Sequence, residues 1–105
     1  MSNASVINQI RSVGNRILPE GSHLWLYGSR ARGDNRRDSD WDLLVLIPKD
    51  TITYDDLTRF SYPLTELGWE LNKPINPVMY TKKEWEKYNF TPFYQNVEHD
   101  KIVLV

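Results

Sequence analysis

Two aspartates, two positions apart, are the residues of this sequence best suited to chemistry. Asp40 and Asp42 stand at the entrance to the apolar run Trp41–Ile47. If that run is a β-strand, its pleat directs both carboxylates to one face, with about 6.6 to 7 Å between their α-carbons. Carboxylates held in this way repel each other unless they are solvated or share a cation. Mg²⁺ is the natural occupant, because it prefers a few carboxylates together with waters and substrate phosphates.

Gly28 and Ser29 are a second candidate site, at the end of the preceding apolar run His23–Tyr27. A residue without a side chain lets backbone amides approach a phosphate, and the serine hydroxyl can donate a further hydrogen bond. Nearby, Arg30 and Arg32 offer planar cations that can neutralise phosphate charge. The sequence therefore predicts that a phosphate and a metal ion meet between these two strands.

Charge is concentrated in the same segment. Residues 28–42 hold four of the seven Arg and four of the eight Asp of the chain. A solvated loop is the ordinary explanation of such a run, and Arg36 and Arg37 fit it. A calcium loop starting at Asp38 is excluded, because its sixth position is Leu43 instead of Gly and its twelfth is Lys49 instead of Glu.

Apolar spacing predicts the elements that must position these residues. Helices are expected over residues 6–17 and 57–67, the second kinked by Pro63, and strands at His23–Tyr27, Trp41–Ile47 and residues 75–80. Residues 69–71 are expected to pair as a strand with residues 75–80. Capping patterns at Thr53, Thr81 and Thr91 predict further helix starts, and residues 101–105 a last strand. Alternating strands and helices indicate an α/β or α+β fold, a small mixed β-sheet flanked by helices.

Composition narrows the class of protein. The 105 residues suit a single domain, residues 1–105, with one hydrophobic core. Thirteen basic against fourteen acidic residues give a net charge of −1, which argues against bulk electrostatic binding of nucleic acid. There is no Cys, hence no disulfide or thiolate chemistry. The apolar runs are too short to span a bilayer, so we expect a soluble, cytoplasmic protein without membrane contact.

The stretch Tyr27-Gly28-Ser29-Arg30-Ala31-Arg32-Gly33-Asp34, continued by Ser39-Asp40-Trp41-Asp42-Leu43-Leu44-Val45, resembles the signature of the minimal nucleotidyltransferases of the DNA polymerase β superfamily. That signature is Gly-Ser, a spacer of about ten residues, and Asp-x-Asp on a strand. The order of the expected elements extends the resemblance over nearly the whole chain, although its specific part is confined to residues 27–45.

The resemblance implies a polymerase β-like fold that binds a nucleoside triphosphate, ATP above all, with Mg²⁺. The chain would pass a nucleoside monophosphate to an acceptor hydroxyl. By position, Gly28, Ser29, Arg30 and Arg32 would hold the nucleotide, while Asp40 and Asp42 would ligate the metal and carry catalysis. The family commonly works beside a helical HEPN-domain partner in toxin–antitoxin pairs, which implies a protein acceptor.

One position departs from the family pattern. Members of the superfamily usually supply a third carboxylate from a later strand, and the matching residue here is Asn76. An amide oxygen can ligate a metal, but an amide cannot take a proton near neutral pH. Glu70 is the one nearby replacement. The alternative function is therefore a nucleotide-binding or antitoxin-like module whose catalysis is weakened or lost.

Overall fold

The computed structural model describes residues 1–105 as a four-stranded mixed β-sheet with helices on both faces. The strands are β1 (His23–Tyr27), β2 (Trp41–Ile47), β3 (Ile75–Thr81) and β4 (Ile102–Val103). Their order across the sheet is β3-β2-β1-β4. Strand β1 is antiparallel to both β2 and β4, whereas β2 and β3 are parallel. The predicted fold class, a mixed sheet flanked by helices, is confirmed.

Six helical segments surround this sheet. They are α1 (Asn3–Ile17), α2 (Ser29–Arg32), α3 (Tyr54–Phe60), α4 (Tyr62–Leu71), α5 (Lys82–Lys87) and α6 (Pro92–Asp100). The predicted starts are confirmed, because the hydroxyls of Thr53, Thr81 and Thr91 each accept a backbone N–H of the helix that follows. None of the helices combines the length and apolar character needed to cross a membrane.

Strand β2 divides the interior into two cores. Every residue of β2 after Asp42 is buried. Leu43, Val45 and Ile47 face a cluster of fourteen buried residues that includes side chains of α1, α3 and α4. On the opposite face, Leu44 and Leu46 pack in a cluster of five that includes Trp85 and Val97 of α5 and α6. Burial on both faces fixes the position of β2 and of the aspartates at its entrance.

Proline accounts for two local features. The helix predicted to kink at Pro63 is broken at Ser61 into α3 and α4, and Pro63 lies in the first turn of α4, where its missing N–H costs no hydrogen bond. Pro77 lies on β3, which is an edge strand of the sheet. That is the position in which a strand tolerates proline.

The strand predicted at residues 69–71 is wrong, since these residues form the last turn of α4. Asn72 ends the helix in the left-handed region, with φ of 53°, and the Lys73 amide donates to the carbonyl of Gly68 at 2.9 Å. A Cβ at Gly68 would lie 2.7 Å from the Lys73 carbonyl oxygen, so the turn depends on glycine there. Helix α4 therefore runs directly into β3, and Glu70 lies on a helix instead of a neighbouring strand.

Candidate functional site

The strand register sets three polar side chains side by side. Asp42 is opposite Tyr27 of β1 in the antiparallel pair and beside Asn76 of β3 in the parallel pair. Side chains at paired positions point to the same face of a sheet. Tyr27, Asp42 and Asn76 therefore form a row across three strands, at the end of the core that α5 and α6 cover.

Asp40 joins this row through a direct hydrogen bond. The side-chain amide of Asn76 donates from Nδ2 to Oδ2 of Asp40 at 2.7 Å. Asp40 lies two residues before Asp42, on the same side of the chain, and is exposed. The structure thus brings Asp40, Asp42 and Asn76 into one cluster that faces solvent.

Gly28 lies in close contact with that cluster. Its backbone has φ of 75°, and a Cβ built on it would lie 2.6 Å from Oδ2 of Asp42. Only glycine combines this conformation with this approach. Ser29 begins the short helix α2 immediately afterwards. The Gly-Ser turn and the Asp42 carboxylate are therefore immediate neighbours.

Electrostatics within the cluster favour a cation. Burial raises the pKa of Asp42, and the negative charge of Asp40 raises it further, while Asn76 and Arg32 oppose the rise. Burial also raises the pKa of Tyr27 to about 12, with the charge of Asp42 contributing, so Tyr27 stays protonated at neutral pH. Negative charge at Asp42 is thus only partly compensated by the chain itself.

Arg32 is held at the edge of the site by two acids. Its Nε donates to Asp34 and its guanidinium Nη1 donates to Asp100, each at 3.0 Å. The Arg32 side chain is about half exposed, whereas that of Asp100 is largely buried. Arg32 therefore lies near enough to Asp42 to influence its pKa and keeps an accessible face.

Arg30 points the other way. Its Nε and Nη2 donate to the carbonyl of Ser39 at 3.2 and 3.0 Å, and Nη2 also donates to the carbonyl of Arg37. Its guanidinium lies 4.6 Å from the ring centroid of Trp41, which faces the core opposite to Asp42. Arg30 thus joins α2 to the peptide that precedes Asp40.

Sequence patterns do not mark two of the residues that lie at the site. Tyr27 is at the end of its strand, and only the cross-strand register shows that it adjoins Asp42. Asp100 lies 68 residues after its partner Arg32, and no local pattern marks it. Glu70, by contrast, is exposed in the last turn of α4.

The donors of the site suit a divalent cation that also binds substrate. No group of three or more His, Asp or Glu side chains converges to hold a metal by itself. Asp40 and Asp42 supply two carboxylates, and Mg²⁺ is commonly held by one or two carboxylates plus waters and substrate phosphates. The Gly28–Ser29 turn in contact with Asp42 is where the phosphate of such a substrate would approach.

Comparison with known proteins identifies the family. A family model described as a nucleotidyltransferase domain matches residues 7–104. The chain belongs to this family, and the family is one of transferase enzymes that generally use divalent metals. No curated protein matches the chain by sequence.

Solved structures share the fold. A chain from a crystal structure of a toxin–antitoxin with AMP-PNP superposes with a TM-score of 0.64 at 21% identity, over 94% of this chain and 72% of that one. A chain from a mutant of the toxin–antitoxin MntA-HpeT gives a TM-score of 0.66 at 20% identity, over the same shares. In that mutant, two aspartates two positions apart are replaced by glutamate. These likenesses support the polymerase β-like nucleotidyltransferase fold.

Proposed function

We propose that the chain transfers a nucleoside monophosphate from Mg²⁺-bound ATP to a hydroxyl group on a protein partner, a helical HEPN-type toxin. The contact that carries this proposal is the approach of Gly28 to Asp42. It brings the Gly-Ser turn, which can donate backbone N–H groups to a phosphate, into direct contact with the pair of carboxylates. The AMP-PNP and the toxin–antitoxin pairing of the structural neighbours support the choice of nucleotide and partner.

In this proposal, Asp40 and Asp42 hold Mg²⁺, which supplies positive charge for the α-phosphate and the leaving oxygen. Ser29 and Arg32 hold the β- and γ-phosphates by hydrogen bonds and charge. The acceptor oxygen forms a bond to the α-phosphorus, the bond to the β-phosphate oxygen breaks, and pyrophosphate leaves. The proton of the acceptor hydroxyl passes to water in the same step.

Asn76 affects this proton transfer, because it stands where a general base is expected. An amide cannot accept it, and the Asn76 side chain donates to Asp40 instead. General-base assistance contributes about 10²- to 10⁴-fold to a rate, so a site without a dedicated base is slow. This observation favours a second candidate function, in which the chain binds the nucleotide and neutralises a toxin by binding alone.

Intact mass spectrometry distinguishes the two. The chain is incubated with ATP, Mg²⁺ and the protein encoded by the neighbouring gene, and both proteins are weighed. A gain of one AMP unit on the partner supports transfer, whereas a stable complex of unmodified proteins supports the binding module. Asp40→Asn with Asp42→Asn should abolish the gain, while Asp38→Asn, an exposed aspartate two residues earlier, should not. Equal transfer by all three proteins contradicts the assigned site.

A further inference from the structure

An aromatic pair borders the site on the side of α6. Tyr27 of β1 and Phe93 of α6 meet edge to face, with 5.6 Å between ring centroids. We call these two rings the aromatic platform. Tyr27 is the cross-strand neighbour of Asp42, so the aromatic platform lies directly beside the carboxylates.

The platform is accessible, unlike the core beside it. Phe93 is 39% exposed, whereas Trp85, which it contacts at 5.7 Å, is 1% exposed. Tyr27 is half-buried. Tyr80, which also contacts Trp85, pairs with Tyr88, with 5.4 Å between their ring centroids. Aromatic rings exposed beside a polar cluster offer area on which a flat ligand can stack.

We infer that the aromatic platform is the base subsite of the nucleotide, an inference that rests on the proposed function. A nucleotide whose α-phosphate lies at Asp40 and Asp42 keeps its base one sugar away, and the platform is the aromatic surface that adjoins Asp42. Nucleobases stack on aromatic side chains, because every base has a π-face. The exposed rings beside the Trp85 cluster thus bind the base, in addition to packing against that cluster.

The chemistry of the platform also defines what it recognises. Its rings offer area for stacking, and the Tyr27 hydroxyl is its one polar group. Stacking selects for a flat base without reading its edge. The platform therefore adds affinity for a nucleoside triphosphate over the bare triphosphate chain, and this difference is measurable.

Calorimetric titration with MgATP and with magnesium tripolyphosphate, which lacks sugar and base, tests the inference. Phe93→Leu keeps an apolar side chain against Trp85 and removes the π-face. We expect it to weaken MgATP binding about tenfold, within the range for loss of one base–aromatic contact, and to leave tripolyphosphate binding within about twofold. Tyr27→Phe, which keeps the ring, should retain MgATP binding.

Phe90→Leu is the matched control. Phe90 is an aromatic residue of the α5–α6 turn, 76% exposed, and makes no ring contact with Tyr27 or Phe93. Its substitution should leave both affinities unchanged. If Phe93→Leu leaves MgATP binding unchanged, or weakens both ligands equally, the platform is not a base subsite. Wild-type protein that binds neither ligand with Mg²⁺ overturns the metal site of the proposed function and the inference with it.

Discussion

Asn76 donates its side-chain amide to the Oδ2 atom of Asp40 at 2.7 Å, across the parallel pair of strands β2 and β3. The register sets the same residue beside Asp42. Asn76 therefore contacts the carboxylate cluster, and it is the position at which the family resemblance predicts a third carboxylate. The effect of restoring an acid there follows directly from this contact.

Asn76→Asp should destabilise the metal-free protein. It replaces a hydrogen-bond donor by a third negative charge next to Asp40 and Asp42. Carboxylates at such short distances repel each other and raise each other's pKa values. Mg²⁺ with ATP should then stabilise the variant more than the wild type, since a ligand stabilises the folded state according to its affinity. Thermal melts in EDTA and in MgATP measure both effects.

The same variant should transfer nucleotide faster if the missing base limits the wild type, by about 10²- to 10⁴-fold. Glu70→Gln provides the comparison, because Glu70 lies on α4 and is exposed. We expect it to leave the Mg²⁺-dependent melt unchanged. A variant Asn76→Asp with unaltered melts and rate would show that Asn76 lies outside the functional site.

Asp42→Asn should stabilise the protein in the absence of metal. The pKa of Asp42 is raised in the folded state by burial and by Asp40, so its ionisation opposes folding above that pKa. The unfavourable contribution is present at neutral pH and disappears as the pH falls through the raised pKa. Because the side chain is half-exposed, we expect a gain in Tm of less than about 4 °C at pH 7.

Melting curves in EDTA from pH 4 to 8 check that expectation. The Tm difference between Asp42→Asn and wild type should shrink as the pH is lowered. A Tm difference that is independent of pH would mean that the ionisation of Asp42 does not destabilise the folded state. In MgATP the order should reverse, because the variant loses the charge that holds the metal.

Arg30→Lys should loosen the loop before Asp40. A lysine cannot reproduce the planar fork that donates to the carbonyls of Ser39 and Arg37, and it loses the contact with Trp41. We expect faster amide hydrogen exchange in residues 36–40 and weaker Mg²⁺-dependent ATP binding. Arg37→Lys is the control, since the side chain of Arg37 is exposed. Unchanged exchange in the Arg30 variant would refute this role.

Ser29→Ala with Arg32→Ala should weaken ATP binding more than AMP binding, by about tenfold for ATP, if both side chains reach the triphosphate tail. Arg32 keeps an accessible face despite its contacts with Asp34 and Asp100. Competitive titration with the two nucleotides measures the ratio, and Arg36→Ala serves as an exposed control. Equal losses for ATP and AMP would assign these residues to another task.

The elements that the sequence predicts correctly are those with a local cause. The threonine caps at Thr53 and Thr81 and the apolar run of β2 depend on neighbours within a few residues, so pattern alone reveals them. The strand expected at residues 69–71 fails because Gly68 reads as a helix end. The helix instead continues through Gly68 to Leu71, and Gly68 packs against Lys73 and Ile75 where the chain turns into β3.

The features of the candidate site also separate into those with a local cause, which the sequence predicts, and those without one. The spacing of Asp40 and Asp42 predicts that they share a face, and the structure agrees. The spacing of residues along the sequence does not predict in which direction a long side chain points. Arg30 and Arg32 are two residues apart, yet one joins the loop carbonyls and the other joins Asp34 and Asp100. Partners so distant in sequence are decided by packing.

The loop between α2 and β2 is held at its start by the end of α2 and over its last residues by Arg30. Gly33 closes α2 in the left-handed region, and Arg30 holds the carbonyl of Ser39 just before Asp40. Its tip is exposed at Arg36, Arg37 and Asp38. Doubling the length of a flexible loop costs only about 0.6 kcal/mol of closure entropy. New sequence can therefore be inserted after Gly33, ahead of the residues that Arg30 holds, and can reshape the surface next to the aspartates without displacing them.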